Sequence, residues 1–158
     1  MTRKHKNSRR QGRETAVQVL FGTLFSPLDQ HTHTELTLEH FISIGHFEDQ
    51  KANSFARELI TGVLEHAGEI DRCIRNYSKN WRLERIAKVE LTVLRVAVYE
   101  MLHQSDVPLK VAINEGIELS KTFGDPKSGR FVNGILDVIA RERPLSADPS
   151  PTSKKESA

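Results

Sequence analysis

With a single cysteine, Cys73, in 158 residues, the chain has no partner for an intramolecular disulfide and no basis for a cysteine-built zinc site. A reducing cytoplasm suits it, and Cys73 is expected to serve as a small buried apolar residue. Long hydrophobic runs are absent too. No window of about eighteen apolar residues occurs, which excludes a transmembrane helix and leaves the partner list without a membrane. The basic N-terminus lacks the apolar segment of a secretory signal. No hairpin turn signal and no repeat is found, which argues against a β architecture. Catalytic patterns are missing as well: no Ser, His and acid motif, no HExxH, and no glycine-rich turn following a strand. Neither an enzyme nor a cofactor is expected.

Acidic residues are absent from the first thirteen positions, where cations are dense. Residues 1–13 hold Arg3, Lys4, Lys6, Arg9, Arg10 and Arg13, or +6, so within a net charge of +2 the other 145 residues carry −4. A polyanion-binding signal is therefore local to this end.

Helical periodicity is present throughout. Residues 85–104, RIAKVELTVLRVAVYEMLHQ, are apolar nearly all round a helical wheel, so this helix must be surrounded by the rest of the chain. Its charged members Glu90, Arg95 and Glu100 are expected to reach the rim. Before it, Ser8 is placed to cap a first helix that buries Val17, Leu20, Phe21, Leu24 and Phe25. A polar loop over 26–34 leads to a short second helix ending near Gly45, and a third runs from Glu48 to about His66. Gly68 ends or kinks the third; Ile70, Ile74 and Tyr77 mark a fourth. Trp81 reads as core or hinge. After the central helix, Pro108 starts a sixth that Gly124 closes, and Asp125 and Pro126 open a seventh that stops at Pro144. Seven helices make an all-α domain, and the Ser- and Pro-rich residues 144–158 read as a disordered tail.

Cations on the first turns of the first helix face the positive end of its dipole, and that placement asks for an anionic partner. GDPKSGRF at 124–131 is no nucleotide loop, because Arg130 and Phe131 stand where Lys and Ser or Thr are needed. Lys127, Ser128 and Arg130 nevertheless sit near a helix start, which suits a phosphate. Glu115 and Glu118 are expected to pair with Arg95. His31, His33 and His40 make a metal site conceivable but have no completing ligand, so no metal is expected.

RETAVQVLF (13–21), VELTVLRVAVYEM (89–101), DVPLKVAINEGIELSKTFG (106–124) and RFVNGILD (130–137) resemble the NusB family over roughly residues 9–141. The resemblance implies two small bundles, of three and four helices, and no catalysis. It implies binding of boxA RNA in ribosomal RNA leader transcripts together with NusE, and assembly with NusA and NusG on RNA polymerase. RNA contacts are then expected from Lys4 and Lys6 in a flexible arm over 1–8, and from Arg9, Arg10, Arg13, Phe21, Lys127, Arg130 and Phe131 in a helical domain over 9–143. Glu90 is expected to face NusE. A related helical domain attached to ribosomal RNA cytosine methyltransferases is the alternative; it needs a following catalytic domain.

Overall fold

Aspartates open three of the helices. In the computed structural model, which describes residues 3–43, 49–78 and 81–142, Asp49 accepts the Lys51 backbone N–H at 2.9 Å, and Asp125 accepts those of Lys127 and Ser128 at 2.7 and 3.1 Å. Asp29 accepts both the N–H and the hydroxyl of Thr32, which holds its carboxyl below the ordinary value. Capping by a carboxylate satisfies N–H groups that a helix start leaves unpaired. The helices are α1 (Arg3–Thr23), α2 (Gln30–Ser43), α3 (Gln50–Glu65), α4 (Ala67–Tyr77), α5 (Lys88–His103), α6 (Leu109–Phe123) and α7 (Ser128–Glu142), with a 3₁₀ turn over Leu83–Arg85. The described residues contain no strand.

Three expectations about boundaries change. Ser8 does not cap α1, which is helical from Arg3; Ser8 is buried inside it and its hydroxyl donates to Asp49. The basic residues from Arg3 onward thus lie in the helix rather than before it. The second helix begins at Gln30, within the expected loop, because Asp29 caps it there. The central helix starts at Lys88 and not Arg85, since Ile86 and Ala87 have extended backbones after the 3₁₀ turn. Gly45, the expected end of the second helix, and the tail 144–158 fall outside the described residues.

Helix α1 packs on α2 and α3, while α4 to α7 pack with one another. The two groups are not independent, because α5 reaches α1 and α3 as well as α4, α6 and α7. From Leu91 to Met101 every residue of α5 except Arg95 is buried, so the all-round apolar wheel does place this helix inside. One continuous core results, running from Ala16 and Leu20 through Leu59 and Leu94 to Leu136 and Ile139. The crossing of α3 over α5 depends on Gly62, where a Cβ would collide with the Tyr99 ring. Cys73 is buried, as expected.

Leu24 and Phe25 are not core residues. They are 37% and 61% exposed because α1 stops at Thr23, which takes both side chains out of its helical register.

Candidate nucleic-acid interface

The row of arginines on α1 is laid against carboxylates of α5 and α6. Arg13 is 4% exposed and holds Glu100, itself 1% exposed, through two hydrogen bonds of 2.7 and 2.9 Å. Such a fork-to-fork pair is the arrangement in which a buried guanidinium is tolerated. Burial pushes the Glu100 carboxyl above its ordinary value, while the Arg13 hydrogen bonds pull it back. Glu100 is therefore not at the rim, and Arg13, expected among the phosphate contacts, is buried and engaged inside the fold.

Arg9 and Arg10 stand four and three residues before Arg13, each about one helical turn away. About half of each side chain is exposed, with Arg9 3.1 Å from Asp106 and Arg10 3.1 and 3.3 Å from the two oxygens of Glu115. Glu115 holds the Arg10 guanidinium more firmly protonated than usual, and lies 3.9 Å from Arg13. These pairs correct the expected mate of Glu115: Arg95 binds Asp71 at 2.8 and 3.0 Å, and Glu118 binds Lys121. Exposed pairs of this kind contribute little to stability, about 0–1 kcal/mol. Their effect is to order two guanidiniums whose side chains remain about half exposed. A groove of about 610 Å³ beside Arg9 brings in Lys51 and Phe55, and the Arg9 guanidinium lies 4.9 Å from the Phe55 ring centre. For Lys4 and Lys6 only the helical backbone is described.

Helices α1 and α5 run in opposite directions, so the remaining candidates collect toward the start of α5. Phe21 is half-buried with its ring 5.1 Å from exposed Phe25, over which Lys88 reaches to 5.8 Å. At the start of α7, Lys127 and Arg130 are exposed and Phe131 is half-buried. Phe131 meets Trp81 edge-on at 5.5 Å, and the two line an open groove of about 330 Å³ with Tyr77, Arg130 and Ile135. Of the two expected places, core or hinge, the core is excluded, because Trp81 is 50% exposed in the connection between α4 and the 3₁₀ turn. Extended backbone around the 3₁₀ turn turns it outward. Its aromatic type, beside an arginine and in a segment with no helical period, was the available signal.

Glu90 is half-buried and accepts the Ser128 hydroxyl at 2.8 Å, which fixes the start of α7 on α5. Its ten-residue separation from Glu100 is about 15 Å of helix. Cations and aromatics thus occupy two stations along α5, arginines near its end and rings with Lys88 and Arg130 near its start.

A family model, the NusB family, matches residues 10–141. The chain is 48% identical over 141 residues to the transcription antitermination protein NusB of Oleidesulfovibrio alaskensis, covering 87% of this chain and 90% of that one. It is 44% identical over 134 residues to that of Lysinibacillus sphaericus, covering 85% and 98%. Among solved structures, T. maritima NusB aligns with a TM-score of 0.74 at 39% identity over 85% of this chain and 92% of its own. A chain from the crystal structure of antitermination factors NusB and NusE in complex with double-stranded RNA aligns with a TM-score of 0.72 at 26% identity, covering 84% and 96%.

Proposed function

Because the chain belongs to the NusB family, we propose that it is a transcription antitermination factor that binds RNA together with a NusE partner. Its similarity to proteins named for antitermination, and to a structure holding NusE and RNA, supports this. In the finer form of the reading, the RNA is boxA of the ribosomal RNA leader, the assembly is RNA polymerase with NusA and NusG, and the protein works in the cytoplasm without catalysis. No described helix is long and apolar enough to cross a membrane. Residues 9–143 form the RNA-binding unit, residues 1–8 extend its basic end, and Glu90 faces NusE beside Ser128.

The observation that carries the reading is the pair of exposed, pre-ordered guanidiniums of Arg9 and Arg10 on an α1 that is firmly docked through Arg13. Phosphates would meet these half-exposed side chains, and neutralising each phosphate on a single strand adds about 0.7 to the slope of log affinity against log salt. Arg13, being buried, adds nothing directly. Replacing Arg9 and Arg10 by alanine should therefore flatten the slope by about 1.4, measured by electrophoretic mobility of boxA RNA and a scrambled control over a salt series. A wild-type slope in that variant would remove the arm from the interface.

The ring ledge should behave differently. Trp81→Ala is expected to lose one stacked base, about 1–3 kcal/mol, with the salt slope unchanged. Trp81 separates binding from stability better than Phe131, whose half-buried ring also packs on the core. Unaltered affinity together with an unaltered melting temperature would exclude the ledge.

A further inference from the structure

Three side chains outside the arginine and ring stations converge where α3, α4 and α5 meet. His66 lies between α3 and α4, Glu69 is on the first turn of α4, and His103 is the last residue of α5. One carboxylate oxygen of Glu69, Oε2, is 3.5 Å from His66 Nδ1 and 3.1 Å from His103 Nε2. All three donor atoms lie within 4.8 Å of one another. The imidazole rings stack with centres 4.0 Å apart and planes 25° apart, and the Tyr99 ring lies beside both, at 6.1 and 5.5 Å.

We propose that His66, Glu69 and His103 form a binding site for a divalent transition-metal ion of the zinc type. Zinc binds imidazole nitrogen and carboxylate oxygen at about 2.0–2.2 Å, so tetrahedral ligand atoms stand roughly 3.3 Å apart. The two distances at Glu69 bracket that spacing, and the third edge closes when the stacked imidazoles tilt so that both in-plane lone pairs point at the ion. The donor set selects the ion class: two nitrogens suit zinc, nickel or copper, whereas calcium and magnesium take oxygen ligands. His66 and Glu69 are fixed three residues apart across a helix start, so the ordering left for the metal to impose is the tilt of the two imidazoles out of their stack. A fourth position opens to solvent and takes water. The consequence is mechanical, since the ion ties the α3–α4 junction to the end of α5. The inference is independent of RNA binding.

Titration calorimetry of the full chain with zinc chloride, in a non-coordinating buffer at about pH 7.5 because only neutral imidazole ligates a metal, tests it. One zinc per chain is expected, with a zinc-dependent rise in melting temperature, because a ligand bound only by the folded state stabilises it. His66→Ala and His103→Ala should each lose both the heat and the thermal shift, and Glu69→Gln should weaken both. All three side chains are partly exposed, so folding is checked by circular dichroism without zinc. A His31→Ala, His33→Ala double variant should bind as wild type does. Absence of zinc binding by the wild type overturns the proposal. So does retention of that binding in His66→Ala and His103→Ala, or its loss in the His31, His33 variant.

Discussion

Glu100→Ala is expected to destabilise the fold by about 3–5 kcal/mol, because it leaves the Arg13 guanidinium buried without its two hydrogen bonds and with only the Glu115 carboxylate 3.9 Å away. For a chain of this length that is a fall in melting temperature of roughly 6–20 °C. Arg13→Ala should cost less, since the two orphans differ: a carboxyl can take up a proton, whereas a guanidinium cannot shed one. The pH dependence follows from burial, the largest influence on Glu100, which raises its folded pKa above the ordinary 4.5. With Arg13 gone only the half-exposed Arg9 still pulls that value back, against both burial and Glu115. A folded state that holds the proton more tightly than the unfolded one loses stability as pH rises. Arg13→Ala should accordingly be most stable below about 4.5 with respect to this group, and weaken as pH climbs through the raised folded value. Replacing both, Arg13→Met with Glu100→Leu, should recover most of the loss, because apolar substitutes for a buried pair are often neutral or stabilising. Urea unfolding of wild type, Arg13→Met, Glu100→Leu and the double variant closes the cycle. If the double variant is as unstable as the sum of the singles, the pair is not coupled.

That cycle also separates docking from binding within one helix. Arg9, Arg10 and Arg13 share a sequence signature, and nothing in their spacing distinguishes an exposed cation from a sealed one. The distinction comes from partners 87 to 105 residues away, Glu100 and Glu115, and no local periodicity reports contacts that distant. The dipole argument for an anionic partner was sound chemistry met partly from inside the molecule. By contrast, α5 was legible because burial on all sides leaves a composition that one helix alone displays. Its start was not, since Ile86 and Ala87 are good helix residues held extended by the 3₁₀ turn before them. Leu24 and Phe25 were misplaced for a related reason: a helical wheel assigns faces only as far as the helix runs, and both lie just past the end of α1. Asp29 followed by Thr32 carried a readable capping signal, and it moves the start of α2 into the expected loop.

Leu94→Asp should abolish the fold. Leu94 is fully buried on α5, the helix that both bundles share, so its surroundings offer no solvent toward which a new carboxylate could turn. Truncation at such a site costs about 2–5 kcal/mol from lost burial and the cavity left behind. A buried carboxyl without a partner adds several more, whether it stays charged or takes up a proton. Against a usual total stability of about 5–15 kcal/mol, that sum removes the cooperative transition at ordinary temperature. Leu94→Ala isolates the first contribution and should remain folded with a lowered melting temperature. Val111→Asp supplies the control for charge itself, since Val111 is 41% exposed on the first turn of α6, where an acid complements the helix dipole. Its stability should stay within about 0.5 kcal/mol of wild type. Thermal melts followed by far-UV circular dichroism rank the three. A Leu94→Asp protein that melts cooperatively near the wild-type temperature would mean that α5 has a solvent-facing side at Leu94, and the shared core would have to be redrawn as two.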